Sequence, residues 1–600
     1  MGAFKIFRKF SQLLDRETVD LPAINTPLAE ALDAKAASAD LADVATSGAY
    51  ADLSGTPAVP TAVAELTDAT TYDFPTLNTP VSDALAGKSA TSHTHTNAEV
   101  NTSIAASPSA TRTVLGLGEN EKVCATRSNP LNIASFNPGS AVSSRTFRSS
   151  HVAPRGLRDM RLVFGNHYYS SGAGNSETPN PARITVKAAI EYPIAPISSS
   201  TAADTIFPIY FNGFRTISIP GGAIVYSDIV LHPDIPPGAS FAVRTWVNMP
   251  DYATDSAPKF IPTGWVADAA ILEGVSNAGD VVDGGAIGAG SSSTTLYGPS
   301  KIIGLSDTDG PSALVIGDSI AVGTSELTTR SESGFILRAL DSGVPYVFGA
   351  RAGEALVSGF SAAKRFRRVS LSRDCFSVIS NYGTNDLAAI ATGEYTLEDL
   401  KAAIVSVTNL FTKHGKKVFW CSVLPKTTSS DLWTTAAGQT ITSQEANRVD
   451  LNTWLRDGSY MNECDAPSLV SIFDPAELIE VNESNILTLN GGRWIVPDSA
   501  DFTGTATGGT TTTMTDSGKS WTPGEFVGGG YYLRTLGGVG SGQNLLITGN
   551  TATSVTFATA TATGAGTTYE IIRPYTADGV HPTQRGHVAA SVAIDTGILQ

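Results

Sequence analysis

The sequence predicts a multidomain protein in which a fibrous N-terminal segment precedes a β-sandwich and an α/β domain. Three observations support this fold class. The chain has 600 residues, which is more than one hydrophobic core can organise. Its pattern changes along its length, from short repeated segments to alternating strands and then to strand–helix alternation. Only 16% of its residues are charged, and it has 57 glycines and 32 prolines, a profile that favours β-rich surface proteins.

The composition argues against several classes of protein. A net charge of −16 does not suit nucleic-acid binding, which calls for a basic surface. Four cysteines without a Cys-x-x-Cys pair argue against a disulfide scaffold. No stretch reaches about 18 consecutive apolar residues, and the basic start lacks the apolar region of a signal peptide. We therefore expect no nucleic-acid partner, no membrane span and no ordinary secretion.

The N-terminal fifth of the chain predicts two non-globular parts. Apolar residues at helical spacing within residues 1–20 predict an N-terminal attachment helix. Residues 21–120 contain an internal repeat, in which Asn-Thr-Pro precedes a short helical pattern at 25–27 and again at 78–80. Helices this short are not stable alone in water, so we expect the segment to bury its apolar stripes against other copies of the chain.

The remaining sequence predicts a sandwich and a two-part α/β domain. Alternating segments separated by Gly, Pro and Asn predict a jelly-roll-like β-sandwich over 121–305. Buried strands alternate with helices over 306–501, which predicts a mostly parallel sheet. A Thr- and Gly-rich stretch at 502–572 predicts a small all-β insertion. Residues 573–600 return to the helical pattern and should complete the α/β domain.

Polar residues follow the predicted strands of the α/β domain at the carboxyl edge, where active sites of open α/β sheets lie. Ser319 lies in a Gly-Asp-Ser turn after the first strand, and Asn385 follows the third strand. Asp578 and His581 share one turn before the last helix. A serine nucleophile needs a base to take its proton and a carboxylate to orient that base. Asp578 and His581 can supply both from a single loop.

In this order, these segments resemble the SGNH (GDSL) hydrolase family over about 311–500 and 573–600. The resemblance implies a flavodoxin-like sheet and a serine esterase mechanism that needs no cofactor. It implies Ser319 as the nucleophile, His581 as the base and Asp578 as the orienting carboxylate.

The same resemblance implies an oxyanion hole. Gly353, in Arg-Ala-Gly-Glu, matches the second sequence block of the family, and Asn385 matches the third. The hole would consist of the Ser319 N–H, the Gly353 N–H and the Asn385 side-chain amide. The family contains esterases, lipases and carbohydrate deacetylases. A β-rich unit before the Gly-Asp-Ser strand resembles its two-domain carbohydrate esterases, which favours O-acetyl groups on sugars as substrates.

Two N-terminal segments resemble the repeats of tailed-bacteriophage tail fibres, which are homotrimers. These are Ser-Gly-Ala-Tyr-Ala-Asp-Leu-Ser-Gly-Thr-Pro at 47–57 and Ser-His-Thr-His-Thr at 92–96. His93 and His95 are two residues apart, so both imidazoles would point the same way on an extended chain. Three chains would offer six nitrogens, a set that suits iron or another transition metal. The alternative is a pair of exposed polar residues.

Two features have structural interpretations. The basic run at 364–368 predicts the solvated face of a helix, and the alternative is a contact with an acidic polysaccharide. The aromatic residues Trp521, Tyr531 and Tyr532 of the insertion can stack on sugar rings or pack in a core, and core packing is expected for at least two of them. The insertion has no His and one Lys, so we expect it to lie at the active-site rim without carrying chemistry.

Together these features predict a trimeric phage tail fibre or tailspike, located in the virion tail. Its N-terminus would attach to phage tail or baseplate proteins, and its esterase domain would deacetylate O-acetylated host surface polysaccharide. One alternative is a non-catalytic receptor-binding fibre that only grips the sugar. Another is a bacterial surface or secreted acetylesterase.

Overall fold

The computed structural model describes residues 121–599 apart from 128–133, 137–143, 170–176, 197–204, 250–260, 264–266, 291–294, 307–309, 327–333, 342, 361–365, 482–490 and 528–529. The predicted attachment helix and repeat segment, with His93 and His95, lie outside the described residues. Contacts divide the chain into the units Met1–Ala105 and Ala106–Gln600, and every described residue belongs to the second unit. No helix in the described part is long and apolar enough to cross a membrane.

Antiparallel strands form the first described part. They are β1 (Lys122–Val123), β2 (Ala134–Phe136), β3 (Ser144–Ala153), β4 (Leu157–Gly165), β5 (His167–Tyr169), β6 (Glu177–Pro179), β7 (Ile184–Glu191), β8 (Ile206–Pro208), β9 (Thr216–Ile219), β10 (Ile224–Tyr226), β11 (Ala239–Asn248), β12 (Ile261–Thr263), β13 (Gly274–Ser276), β14 (Gly288–Ala289) and β15 (Lys301–Ser306). One sheet has the order β1-β15-β4-β10, and a larger one has the order β14-β13-β3-β11-β7-β8, with β9 also paired to β7.

The two sheets share one hydrophobic core. Leu162 and Phe164 of β4 belong to the same buried cluster as Val186 of β7 and Val243 of β11. Alternate residues of a strand point to opposite faces, so each sheet contributes one face to this core. This part is called the sandwich below; its jelly-roll connectivity stays a prediction.

Helices and strands alternate in the second part. The strands are β16 (Ala313–Ile316), β17 (Tyr346–Phe348), β18 (Ser377–Ser380), β19 (Lys417–Cys421), β20 (Thr427–Ser429), β21 (Gln439–Ile441) and β22 (Val470–Phe473). The helices are α1 (Ser319–Val322), α2 (Phe335–Leu340), α3 (Leu356–Gly359), α4 (Phe366–Leu371), α5 (Thr384–Ala391), α6 (Leu397–Thr412), α7 (Glu445–Arg456), α8 (Ser459–Glu463), α9 (Pro475–Ile479) and α10 (Gln584–Ser591).

Five of these strands form one parallel sheet in the order β17-β16-β18-β19-β22. Numbered along the chain, this order is 2-1-3-4-5, the flavodoxin-like arrangement. Ile316 and Val378 lie in one core cluster and their neighbours Val315 and Ile379 in another, so both faces of the sheet are covered. The prediction of an α/β domain with a mostly parallel sheet is confirmed for this part.

The insertion is a seven-stranded antiparallel sheet with a core of its own. Its order is β23-β29-β26-β27-β28-β25-β24, where β23 is Phe502–Thr505, β24 is Gly508–Gly509, β25 is Thr513–Thr515, β26 is Tyr532–Gly537, β27 is Asn544–Asn550, β28 is Ser554–Phe557 and β29 is Thr568–Ile572. Because β23 pairs with β29, the chain enters and leaves the module side by side. Trp521, Tyr531 and Tyr532 are only 5%, 6% and 4% exposed, so their rings pack inside and do not offer a stacking platform.

One sequence-based prediction about the α/β domain is wrong. The sequence predicts Arg368 of α4 on a solvated helix face, but its side chain is fully buried. It forms ion pairs with Glu354 and with Glu177 of the sandwich. The local basic pattern gave no sign of these partners, because Glu177 is far away in the chain.

Candidate active site

The turn after β16 places Ser319 at the carboxyl edge of the parallel sheet. Ser319 is the first residue of α1, and the carboxylate of Asp318 accepts a hydrogen bond from the N–H of Ile320 at 2.9 Å. Residue 317 must be glycine here, because a Cβ on it would lie 1.7 Å from Oδ1 of Asn381. Gly317 thus permits the close approach of Asn381, Asp318 caps the start of α1, and Ser319 begins that helix at the edge of the sheet.

Asp318 itself is completely buried. Its Oδ1 accepts a second hydrogen bond from Nδ2 of Asn381 at 3.0 Å, and its N–H donates to Oδ1 of the same residue at 3.1 Å. No described residue hydrogen-bonds its Oδ2. Burial raises the pKa of Asp318 to about 7, even though the hydrogen bonds from Ile320 and Asn381 act in the opposite direction.

Ser319, His581 and Asp578 form a continuous hydrogen-bonded relay. Oγ of Ser319 lies 2.8 Å from Nε2 of His581, and Nδ1 of His581 lies 2.6 Å from Oδ2 of Asp578. Partial burial raises the pKa of Asp578, but hydrogen bonds from the His581 ring and from the N–H groups of His581 and Val580 outweigh it and lower the pKa to about 2. An ionised Asp578 holds the proton of the imidazole on Nδ1, which leaves Nε2 free to accept the hydroxyl proton of Ser319.

The backbone between Asp578 and His581 is fixed at Gly579. Its carbonyl accepts hydrogen bonds from the N–H of Thr427 at 3.0 Å and from the indole N–H of Trp494 at 3.2 Å. Its φ of +78° lies in the left-handed region, and a Cβ would lie 1.9 Å from the carbonyl oxygen of Thr427. Sequence reasoning missed Thr427 and Trp494, because neither belongs to a catalytic motif.

The loop that carries Gly353 is tied to the nucleophile turn. The N–H of Arg351 donates to the carbonyl of Gly317 at 2.7 Å, and the N–H of Glu354 closes a turn onto the carbonyl of Arg351 at 3.3 Å. Gly353 lies in this turn with a φ of +77°. A left-handed residue is what the third position of such a turn requires when it is of type II.

Asn385 is tied to the same loop. Its Nδ2 donates one hydrogen to the carbonyl of Glu354 at 3.0 Å, which leaves the second amide hydrogen for another acceptor. The next residue, Asp386, is buried and accepts hydrogen bonds from the N–H groups of Leu356 and Val357 at 2.9 and 3.0 Å. The structure thus joins the segments around Ser319, Gly353 and Asn385. Sequence reasoning missed the role of Asp386, although its position directly after Asn385 is a signal.

The remaining predicted site is the pair of histidines in the N-terminal segment. The histidine pair proposed to hold a metal, His93 and His95, is outside the described residues and stays a prediction. Among the residues that the structure describes, no group of three or more His, Cys, Asp or Glu is arranged to hold a metal ion.

No protein-family model and no curated protein matches this chain. Among solved structures, the chain is similar to a GDSL-like lipase from Bacteroides thetaiotaomicron at 20% identity, over 29% of this chain and 72% of that one, with a TM-score of 0.21. It is similar to an acetyl xylan esterase at 15% identity, over 28% of this chain and 78% of that one, with a TM-score of 0.20. A Bacillus subtilis protein is similar at 11% identity, over 55% of this chain and 68% of that one, with a TM-score of 0.22.

Proposed function

We propose that this chain is a serine esterase with Ser319 as its nucleophile. The observation that carries the proposal is the relay from Oγ of Ser319 through His581 to Asp578, with both joining distances in hydrogen-bond range. A serine hydroxyl is a weak nucleophile unless an adjacent base removes its proton. The relay supplies that base in the correct tautomer.

The reaction has two steps. In the first, Nε2 of His581 takes the proton of Ser319 while Oγ attacks the carbonyl carbon of the ester. The tetrahedral intermediate then expels the alcohol, which takes the proton from His581, and the acyl group remains on Ser319. In the second step water attacks the acyl carbon and gives a proton to His581. The intermediate then expels Oγ of Ser319, which takes that proton from His581, and the free acid leaves.

The oxyanion of each intermediate needs donors that are fixed before the reaction. We assign this role to the backbone N–H groups of Ser319 and Gly353 and to the remaining amide hydrogen of Asn385. The hydrogen bond from Asn385 to the carbonyl of Glu354 supports the assignment, since it fixes the amide plane next to Gly353.

The proposed substrate class is a short acyl ester, above all an O-acetyl group on a polysaccharide. The side chains of His581 and Asp578 are 20% and 45% exposed, so the relay is open to solvent and to a polymer that passes over it. The sequence resemblance to two-domain carbohydrate esterases points in the same direction.

The proposed setting is the tail of a bacteriophage, with the chain as a homotrimeric tail fibre or tailspike that binds tail or baseplate proteins through its N-terminus. The tail-fibre-like segments 47–57 and 92–96 support it. Light scattering on the full-length protein should give three times the chain mass, and a protein that starts near residue 121 should lose most of this association. A monomeric full-length protein would contradict the trimer and the six-histidine metal site.

The proposed function is tested by incubating the protein with O-acetylated host surface polysaccharide and measuring the acetate released. Acetate release that disappears in Ser319→Ala supports the deacetylase. Binding of the polysaccharide without any release of acetate would favour the receptor-binding alternative. Acetate release by a protein that forms no trimer would favour the bacterial acetylesterase.

A further inference from the structure

A buried ion pair between Glu354 and Arg368 holds the loop that carries Gly353. The carboxylate of Glu354 accepts two hydrogen bonds from the guanidinium of Arg368, at 2.5 and 2.7 Å, and a third from the hydroxyl of Tyr382 at 2.5 Å. All three side chains are almost completely buried. A forked pair of this kind, with two parallel hydrogen bonds, fixes orientation as well as distance. The backbone of Glu354 is therefore anchored next to Gly353.

Arg368 is in turn held by the sandwich. Oε1 of Glu177 accepts a hydrogen bond from the backbone N–H of Arg368 at 3.1 Å and lies 3.6 Å from Nε of the same residue. Oε2 of Glu177 accepts a hydrogen bond from the backbone N–H of Arg367 at 2.7 Å. The side chain of Glu177 is only 1% exposed. The guanidinium of Arg367 also donates to the carbonyl of Gly222, at 3.2 Å, on the same side of the sandwich.

Apolar packing continues across the same boundary. Val163 of β4 and Ile303 of β15 belong to the buried cluster that contains Leu356 and Phe360, which follow Glu354 in the chain. The guanidinium of Arg368 also lies over the ring of Phe360, 4.6 Å from its centre. The sandwich and the Gly353 loop therefore share one interior.

We propose that Glu177 of the sandwich is a positioning residue for the esterase reaction, acting through Arg368 and Glu354 on the loop that presents the Gly353 N–H. This inference rests on the proposed serine esterase function. It gives the sandwich a role in the rate of the reaction. An oxyanion donor that moves by a fraction of an ångström loses much of its preference for the transition state, while binding of the neutral ester changes little.

The sandwich contains a matched control for this inference. Glu273 is also fully buried, and it also accepts two backbone N–H groups, from Ser150 and Asp268. Like Glu177 it is ion-paired with a guanidinium, that of Arg127, which here donates a hydrogen bond at 2.9 Å. These three partners all lie in the sandwich. Replacing either glutamate by glutamine removes the same kind of buried charge, but only Glu177 is joined to the Gly353 loop.

The experiment measures kcat and KM on p-nitrophenyl acetate, and thermal unfolding, for wild type, Glu177→Gln and Glu273→Gln. We expect both variants to unfold at lower temperature. Only Glu177→Gln should lower kcat, roughly tenfold with KM little changed. The reason is that the hydrogen bond from the Gly353 N–H to the oxyanion acts in the transition state and not on the bound ester. Glu177→Asp, which keeps the carboxylate, should recover part of this loss. Equal kcat values in Glu177→Gln and Glu273→Gln would overturn the inference.

A second pair of variants tests the inference if Glu177→Gln does not fold. Arg368→Lys keeps the charge and loses the forked pair, and Arg127→Lys is its control in the sandwich. A kcat loss confined to Arg368→Lys supports the inference, and equal kcat values overturn it. A wild-type protein without esterase activity would instead overturn the proposed function itself, so the two failures are distinguishable.

Discussion

Trp494, which precedes the insertion, donates its indole N–H at 3.2 Å to the carbonyl of Gly579, which follows the insertion. Trp494 is fully buried, and its backbone exchanges two hydrogen bonds with the side-chain amide of Gln439, at 2.7 and 2.9 Å. The loop with Asp578 and His581 is therefore anchored on the α/β domain itself. The inserted sheet lies between these two residues in the chain, but it does not supply this anchor.

Replacement of 502–572 by a short Gly/Ser linker should accordingly leave turnover of p-nitrophenyl acetate within roughly tenfold of wild type, a barrier change near 1.4 kcal/mol. A short linker suffices because Phe502 pairs with Ile571 across the two ends of the module. We still expect some change in turnover, because Tyr532 of the module lies near Asp578. Burial raises the pKa of Tyr532, and the charge of Asp578 raises it further. A folded deletion variant as inactive as Ser319→Ala would show that the module supplies part of the site.

Gly579→Ala should lower kcat by roughly 100-fold, because the new Cβ would collide with the carbonyl of Thr427 and displace the loop that holds His581. Gly393→Ala is the control: its φ of +79° is nearly the same, but no atom lies within 4 Å of the added Cβ. Gly393→Ala should lose about 1 kcal/mol of folding stability from left-handed strain, and Gly579→Ala should lose more because of the collision, both measured by denaturant unfolding. Similar kcat values in the two would contradict the role given to Gly579.

Asp578→Asn should lower kcat at neutral pH by roughly 100-fold or more. The amide oxygen can still accept the N–H groups of Val580 and His581, so the turn persists, but the amide N–H₂ favours the tautomer in which Nε2 carries the proton. That nitrogen can then no longer accept the proton of Ser319. Because the pKa of Asp578 is about 2, any loss of wild-type activity at mildly acid pH must have another origin. Asp399→Asn, at the exposed start of α6, should leave kcat unchanged.

Asp318→Asn should change how folding stability depends on pH. The unfolded state loses the proton of Asp318 near pH 3.8 and the folded state near 7, so between these values the folded state binds more protons. The stability contributed by protonated Asp318 is fully present below 3.8 and is lost as the pH rises through about 7.

Urea unfolding of wild type and Asp318→Asn at about pH 5 and about pH 8 checks this. Wild type should lose roughly 2–3 kcal/mol relative to the variant between the two conditions. The comparison cancels the titration of the groups that do not interact with Asp318. Parallel changes in the two proteins would show that Asp318 ionises normally.

The sequence predicts the groups of the relay because each lies in a short segment at the end of a strand or before a helix. Ser319 and His581 are 262 positions apart, yet the parallel sheet brings both segments to one edge. The network of Glu177, Arg368 and Glu354 that holds the Gly353 loop was not predictable in this way. Arg368 belongs to a run that is basic locally, and its partner Glu177 is 191 positions away, in the sandwich. Burial of that kind depends on packing between the sandwich and the α/β domain, which a local sequence pattern does not contain.

Hydrolysis of p-nitrophenyl acetate by wild type and Ser319→Ala tests the central claim most directly. The account predicts release of p-nitrophenol by wild type, with a fall of at least about 1,000-fold in kcat for Ser319→Ala, because the variant lacks the atom that attacks the ester. Equal thermal unfolding of the two proteins is the control for folding. Equal rates of p-nitrophenol release from two folded proteins would contradict the assignment of Ser319 as the nucleophile.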